Sequence, residues 1–267
     1  MTTIIAAIDN SAAATPLLET GHAIADLYGA ELEAVHVREH SFVMASAAAG
    51  AAGVPLHIEA GETAGVLRRI MRAPDVVALV IGARGTPAGR RPLGSTALEL
   101  ITSVPKPVVV VPPDLRHPGP IDSILVPLDG SPATAAALAG TIELARAADL
   151  EVILLHVREE AALHPFSDQP HHEAQAWAEE FIARYCPCPP EEVDLHLRVG
   201  VPPEEVARVI DETGADLIAL GWSQKLEPGR AAVVHETLAR SLLPVLLIPM
   251  LAAGRSAEER ATAGANP

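Results

Sequence analysis

The sequence predicts an α/β chain of two tandem, doubly wound parallel-sheet domains, each five-stranded and Rossmann-like or flavodoxin-like. Three observations predict this. The 267-residue chain repeats itself, with matching segments some 120 to 139 positions apart. Each copy alternates short apolar runs with helical patterns, which makes a parallel sheet covered on both faces. Hydrophobic residues make up 49% and aromatics only 3%, so the core is built from Ala, Val, Leu and Ile.

The first copy opens with IIAAIDNS (4–11), a strand ending near Asp9. Ser11 starts a helix whose inner face carries Leu17, Ile24 and Tyr28. AVHVRE (34–39) is the second strand. SFVMASAAAGAAGVP (41–55), rich in Ala, Gly and Ser, reads as a short helix or a mobile loop. LHIEAG (56–61), VALVIG (77–82) and PVVVVP (107–112) are the remaining strands.

The second copy answers with ILVPLDGS (124–131), LLHVRE (154–159), LHLRVG (195–200), DLIALG (216–221) and PVLLIP (244–249). Ser131 is an N-cap with Pro132 at the first helical position, and that helix runs to about Ala147. The offset grows from 120 to 139 after the second strand, so the second copy holds 19 extra residues there. They contain EAQAWAEEFIARY, with Ala176, Trp177, Glu180, Phe181, Ile182 and Tyr185 at helical spacing. Pro203 begins a further helix with Val206, Val209 and Ile210 inward, ended by Gly214. The boundaries predicted are domain one over 1–113, a Pro-rich linker over 114–120, domain two over 121–250, and a disordered tail over 251–267.

Net charge is −15, which argues against nucleic acid or an anionic membrane as partner. It is uneven: net −2 over 1–120 and −13 over 121–267. Arg84, Arg90 and Arg91 make the loop after the fourth strand the least hostile surface for an anion. No apolar run has the ~18 residues of a membrane span. The N-terminus lacks the cationic start of a signal peptide, and Cys186 and Cys188 read as two free thiols, without a bridge between them; both point to a cytoplasmic protein.

The stretch VIGARGTPAGRRPLGST (80–96) carries the chemistry. Gly82 closes the fourth strand and Ser95-Thr96 opens the last helix of the first copy. Amides at a helix start are unsatisfied and attract phosphate, and glycines allow close backbone approach. Ser95 and Thr96 add hydroxyl donors. The spacing is not that of a Walker loop.

With these residues the chain resembles the universal stress protein family in a tandem two-domain form, over nearly all of residues 3–250. ATP-binding members of that family carry G-x-x-G, nine residues, then G-[ST] after the fourth strand. Here Gly82 and Gly85 are followed by eight residues, then Gly94-Ser95. The resemblance implies ATP, with or without Mg2+, bound by Gly82, Gly85, Gly94, Ser95 and Thr96 on phosphates and ribose. It implies Asp9 and Val37 near base and sugar. It also implies a pseudo-dimer formed within one chain, or a homodimer, through the last strands PVVVVP and PVLLIP. The implied function is a nucleotide-dependent stress-response sensor or regulator, at most a slow ATPase. The alternative is a nucleotide-free module acting through protein partners, which the acidic second half would recruit.

The second copy departs from the motif. Gln224 stands where Gly85 would be, Ala231 and Ala232 replace Gly94 and Ser95, and Glu227 puts an acid where phosphate would sit. His36 and His156 read as strand histidines satisfied by hydrogen bonds. His164, His171 and His172 lack metal-ligand spacing and read as loop residues. Asp9 and Asp129 could act as general bases, but no nucleophile partner accompanies them.

Overall fold

The computed structural model describes residues 1–37, 41–84, 93–115, 119–158, 170–225 and 230–250, with side chains in the two incomplete helices described from residues 176 and 231. Each half contributes five strands to one ten-stranded sheet. The first half is β1 Thr3–Ala7, α1 Ala14–Tyr28, β2 Glu31–Val37, α2 Val43–Ala52, β3 Leu56–Glu59, α3 Thr63–Ile70, β4 Val76–Gly82, α4 Ser95–Ser103 and β5 Val108–Val111. The second is β6 Ser123–Pro127, α5 Pro132–Ala147, β7 Glu151–Arg158, α6 Pro170–Tyr185, β8 Asp194–Val199, α7 Pro202–Thr213, β9 Leu217–Trp222, α8 Arg230–Arg240 and β10 Val245–Pro249.

The strand order is β3-β2-β1-β4-β5-β10-β9-β6-β7-β8. Each half is therefore wound 3-2-1-4-5, the Rossmann order rather than the flavodoxin one. Among the described residues every pairing within a half is parallel, and the one antiparallel pair, β5 with β10, joins the halves. Val110, Val109 and Val108 face Val245, Leu246 and Leu247 across that seam. All are buried, as strands covered on both faces must be. The last strand of each half thus covers the other's apolar edge, as expected for a pseudo-dimer.

Alternate residues of the strands feed two core layers. Ile4, Ala6 and Ile8 pack with α1 on one side; Ile5, Leu79 and Ile81 pack with α3 and α4 on the other. Tyr28 belongs to the inner side of α1, and burial pushes its phenol up to about 12.

Two local expectations change. Helix α1 starts at Ala14 with Ala13 as N-cap, not at Ser11. The Ser11 hydroxyl donates to Asp9 at 2.5 Å and accepts from the Ala13 amide at 3.2 Å. In the second half Pro132 presets the first helical φ, and Ser131 does cap, accepting from the Thr134 amide. The first half has Ala12 at that place, so a turn precedes the helix. The ambiguous 41–55 stretch holds a ten-residue helix, α2, ended by Gly53 at φ 68°.

The cysteine reading is corrected. Cys186 and Cys188 form a disulfide, their Cα atoms 5.3 Å apart and so within bridging distance. The chain bends after α6 with Pro187 between them, which turns both side chains to one side. The argument from free thiols to a reducing compartment is withdrawn with it. Among the described residues no helix is long and apolar enough to cross a membrane. The loop histidines His164, His171 and His172, Glu227 and the tail 251–267 lie outside the described residues or side chains.

Candidate functional site

In each half the order reverses between the first and fourth strands, and the carboxyl ends there are where such sheets leave a crevice. In the first half that crevice is a cleft of about 630 Å³, within the ~300–1,000 Å³ usual for small-molecule pockets. Its walls are Ile8–Asn10 after β1, Val35–Val37 at the end of β2, Ile81–Arg84 at the end of β4, and Gly94–Ala97 with Leu100 on α4. Asp9, Val37, Gly82, Gly94, Ser95 and Thr96 all border it. Gly85 lies outside the described residues.

Helix α4 owes its position to the loop that enters it. The Gly94 amide donates to the Ala83 carbonyl at 2.8 Å, tying the helix start to the end of β4. Gly94 is the N-cap and has no side chain to accept from the first turn. Helix α1 shares this lack, with Ala13 as its N-cap and no side-chain cap; the remaining described starts differ. Glu62 accepts from Ala64 and Gly65 at the start of α3, and those amides hold its carboxyl below the usual range. Asn10 accepts from Met44 and Ala45 at α2, and Ser131 from Thr134 at α5. Helix α7 begins with Pro202 and Pro203, which have no amide hydrogen to offer. Among the described residues no side chain caps the first turn of α4, which borders the cleft with its N–H dipoles and the Ser95 and Thr96 hydroxyls.

His36 forms part of the floor. It is buried, and its Nδ1 lies 3.0 Å from the Ile8 carbonyl. A carbonyl only accepts, so Nδ1 carries the proton and Nε2 is left as an acceptor. That Nε2 has no partner among the described residues.

The sequence reading missed Asn10. Its side-chain oxygen reaches 34 positions along the chain to hold the start of α2, 2.8 Å from the Met44 amide. The repeat held the signal: Gly130 occupies the matching place and has no side chain to do this.

The second half closes the corresponding mouth. His156 donates from Nδ1 to the Leu128 carbonyl, as His36 does to Ile8. There the likeness stops, because α6 lays Trp177 and Phe181 against the imidazole, with centroids 5.1 and 4.6 Å away. Tyr185 continues the stack and the Arg158 guanidinium lies 5.4 Å over Trp177. Burial lowers the His156 pKa, against the opposing pull of its bond to Leu128. At the end of β9 a methyl on Gly221 would come within 3.2 Å of Thr134 and 3.4 Å of Met250, whose places in the first half are held by Ala14 and Pro113.

Both strand histidines bond to backbone through Nδ1, as expected, whereas the buried His36 Nε2 has no partner among the described residues. Among the described residues no cluster of His, Cys, Asp or Glu could hold a metal ion. A second hollow of about 130 Å³ lies between α7 and α8, below the size of an ordinary ligand pocket.

A model of the universal stress protein family matches residues 40–112 and 120–249. Asp9 and Val37 precede the first of these segments. No curated protein matches the chain. Among solved structures the chain is similar to a protein of unknown function from Pseudomonas aeruginosa, at 14% identity over 94% of this chain and 93% of that one, with a TM-score of 0.69. It is similar to a putative universal stress protein from the same species, at 15% identity, 93% coverage of both chains and TM-score 0.68. A universal stress protein from Archaeoglobus fulgidus is 16% identical over 93% of this chain and 98% of its own, with TM-score 0.62. At these identities the likeness is one of fold.

Proposed function

Since the chain belongs to the universal stress protein family, we propose that its first half binds ATP in the cleft between β1 and β4. It does so as a sensor or regulator in a stress response. The observation that carries this is the uncapped first turn of α4 opening onto a nucleotide-sized cleft at the switch point. The triphosphate lies against the amides and hydroxyls of Ser95 and Thr96, with Gly82, Gly85 and Gly94 letting the backbone approach closely. Val37 and Asp9 border the base and sugar end. A Mg2+ arriving with the nucleotide would neutralise phosphate charge. No residue is assigned to catalysis, and any hydrolysis would be slow.

The test begins with purified protein, denatured and assayed for released adenine nucleotide. ATP is then titrated against wild type and Gly94→Glu. Gly94 has φ −71°, which any residue adopts, so the variant keeps its backbone and places a carboxylate at the phosphate position. We expect affinity to fall by about 100-fold or more, from like charge in a partly desolvated site. Wild type that neither carries nor binds nucleotide would favour the rival reading, a protein-interaction module. The exposed side chains of Phe42, Val43 and Met44 beside the cleft support that rival.

A further inference from the structure

Helix α4 is held at its far end by the other half of the molecule. The Trp222 indole N–H donates to the Ile101 carbonyl at 2.9 Å in a buried bond. The Gln224 side-chain amide donates to the Val104 carbonyl at 2.6 Å and reaches Ile101 at 3.4 Å. Both acceptors belong to the terminal carbonyls that a helix cannot satisfy for itself. Trp222 ends β9 and Gln224 follows it, at the places that Ala83 and Gly85 hold after β4. Gln224 keeps a left-handed backbone, φ 60°, suited to glycine. A side chain held in that conformation signals that what it does outweighs the strain. Ala83 has no side-chain donor, so the first half offers α8 no matching bond from that position.

We propose that Trp222 and Gln224 are positioning residues for the first-half cleft. The second half's counterpart of the phosphate loop acts on the first half's ligand site through α4. The proposal rests on the nucleotide reading above, and its physical basis is the shortness of the helix. Nine residues are too few to be stable alone, and helix formation is cooperative, so loosening one end weakens the other. The first turn, closed by the Leu98 amide on the Gly94 carbonyl at 2.9 Å, is the part that faces the cleft. Tying down the last turn therefore fixes the amides of Ser95, Thr96 and Ala97 where an anion would meet them.

The experiment compares wild type with Gln224→Met, which keeps bulk and loses the donor, with Gln224→Lys, which restores a donor, and with Trp222→Phe/Gln224→Met. Two quantities are read: ATP affinity by calorimetry, and hydrogen exchange of the Leu98 amide in the absence of nucleotide. Removing the donors should weaken ATP binding by about three- to tenfold, the usual worth of one or two such bonds. Leu98 exchange should rise by a similar factor, and Gln224→Lys should restore both. Should the Trp222 variant fold poorly, the Gln224 pair decides alone. If wild type binds ATP and Gln224→Met binds it equally well, the positioning role is wrong. If wild type binds no ATP, the nucleotide reading falls. The inference then stands or falls on whether Leu98 loosens in Gln224→Met and recovers in Gln224→Lys.

Discussion

The two halves share a winding, a strand histidine and a seam, yet one mouth is open and the other filled. The first half follows its histidine strand with α2, whose buried residues are the small Ala45 and Ala49. The second covers His156 with α6, which adds Trp177, Phe181 and Tyr185. The fold therefore does not require the mouth to be occupied or vacant. A helix of small residues leaves room, whereas a longer aromatic one turns the same crevice into core. The same contrast recurs after the fourth strand. Ala83 and Gly94 shape a cradle, whereas Trp222 and Gln224 reach across the seam to α4.

The contrast can be broken most forcefully at Phe181, which is buried in the second-half core. Phe181→Ala should cost about 3 kcal/mol, through lost transfer energy and a cavity beside His156. Met44→Ala, on exposed α2, should stay within about 0.5 kcal/mol. Urea denaturation of the two variants checks this, and equal losses would mean that α2 is as much a core element as α6.

A smaller effect separates the two serines. Ser131→Ala removes a true N-cap and should cost about 1 kcal/mol. Ser11→Ala leaves α1, capped at Ala13, close to wild-type stability, and instead frees the Asp9 carboxylate from its hydroxyl donor. Thermal melts measure the first part, and ATP titration of Ser11→Ala measures the second.

The smallest effect is a pH dependence confined to the filled mouth. Burial lowers the folded-state pKa of His156 below its unfolded value near 6.5. The unfolded chain therefore binds the proton more readily, and stability falls as the pH drops from about 6.5 toward the folded pKa. Above 6.5 the imidazole is neutral in both states and this contribution is flat. An NMR titration should place the His156 pKa below the 6.5 of a free imidazole side chain. Its replacement by asparagine should reduce the acid-side slope of unfolding free energy.

Much of this was legible in the chain itself. The repeat and the alternation of apolar runs with helical patterns gave two five-stranded parallel units, because burial on both faces demands continuous Val, Ile and Leu in strands of this kind. Gly214 as a helix stop and Ser131-Pro132 as a start were readable because capping depends on local φ and on neighbouring groups only. The apolar strands PVVVVP and PVLLIP, with the family resemblance, foretold the seam.

Other features depend on residues distant in sequence, and no local pattern encodes them. Asn10 meets α2 across 34 positions and Gln224 meets Val104 across 120. Ser11 was misread because its hydroxyl has two rival claimants, Asp9 and a helix amide, and only the folded loop decides between them. The Cys186–Cys188 bridge likewise depends on the bend after α6 that converges two side chains. Sequence determined which residues are apolar, where helices can start and stop, and that the chain repeats, since these follow from periodicity and backbone chemistry. Tertiary structure decided which mouth is open and which side chains span the seam, because those depend on packed volumes and on hydrogen bonds between segments that meet only after folding.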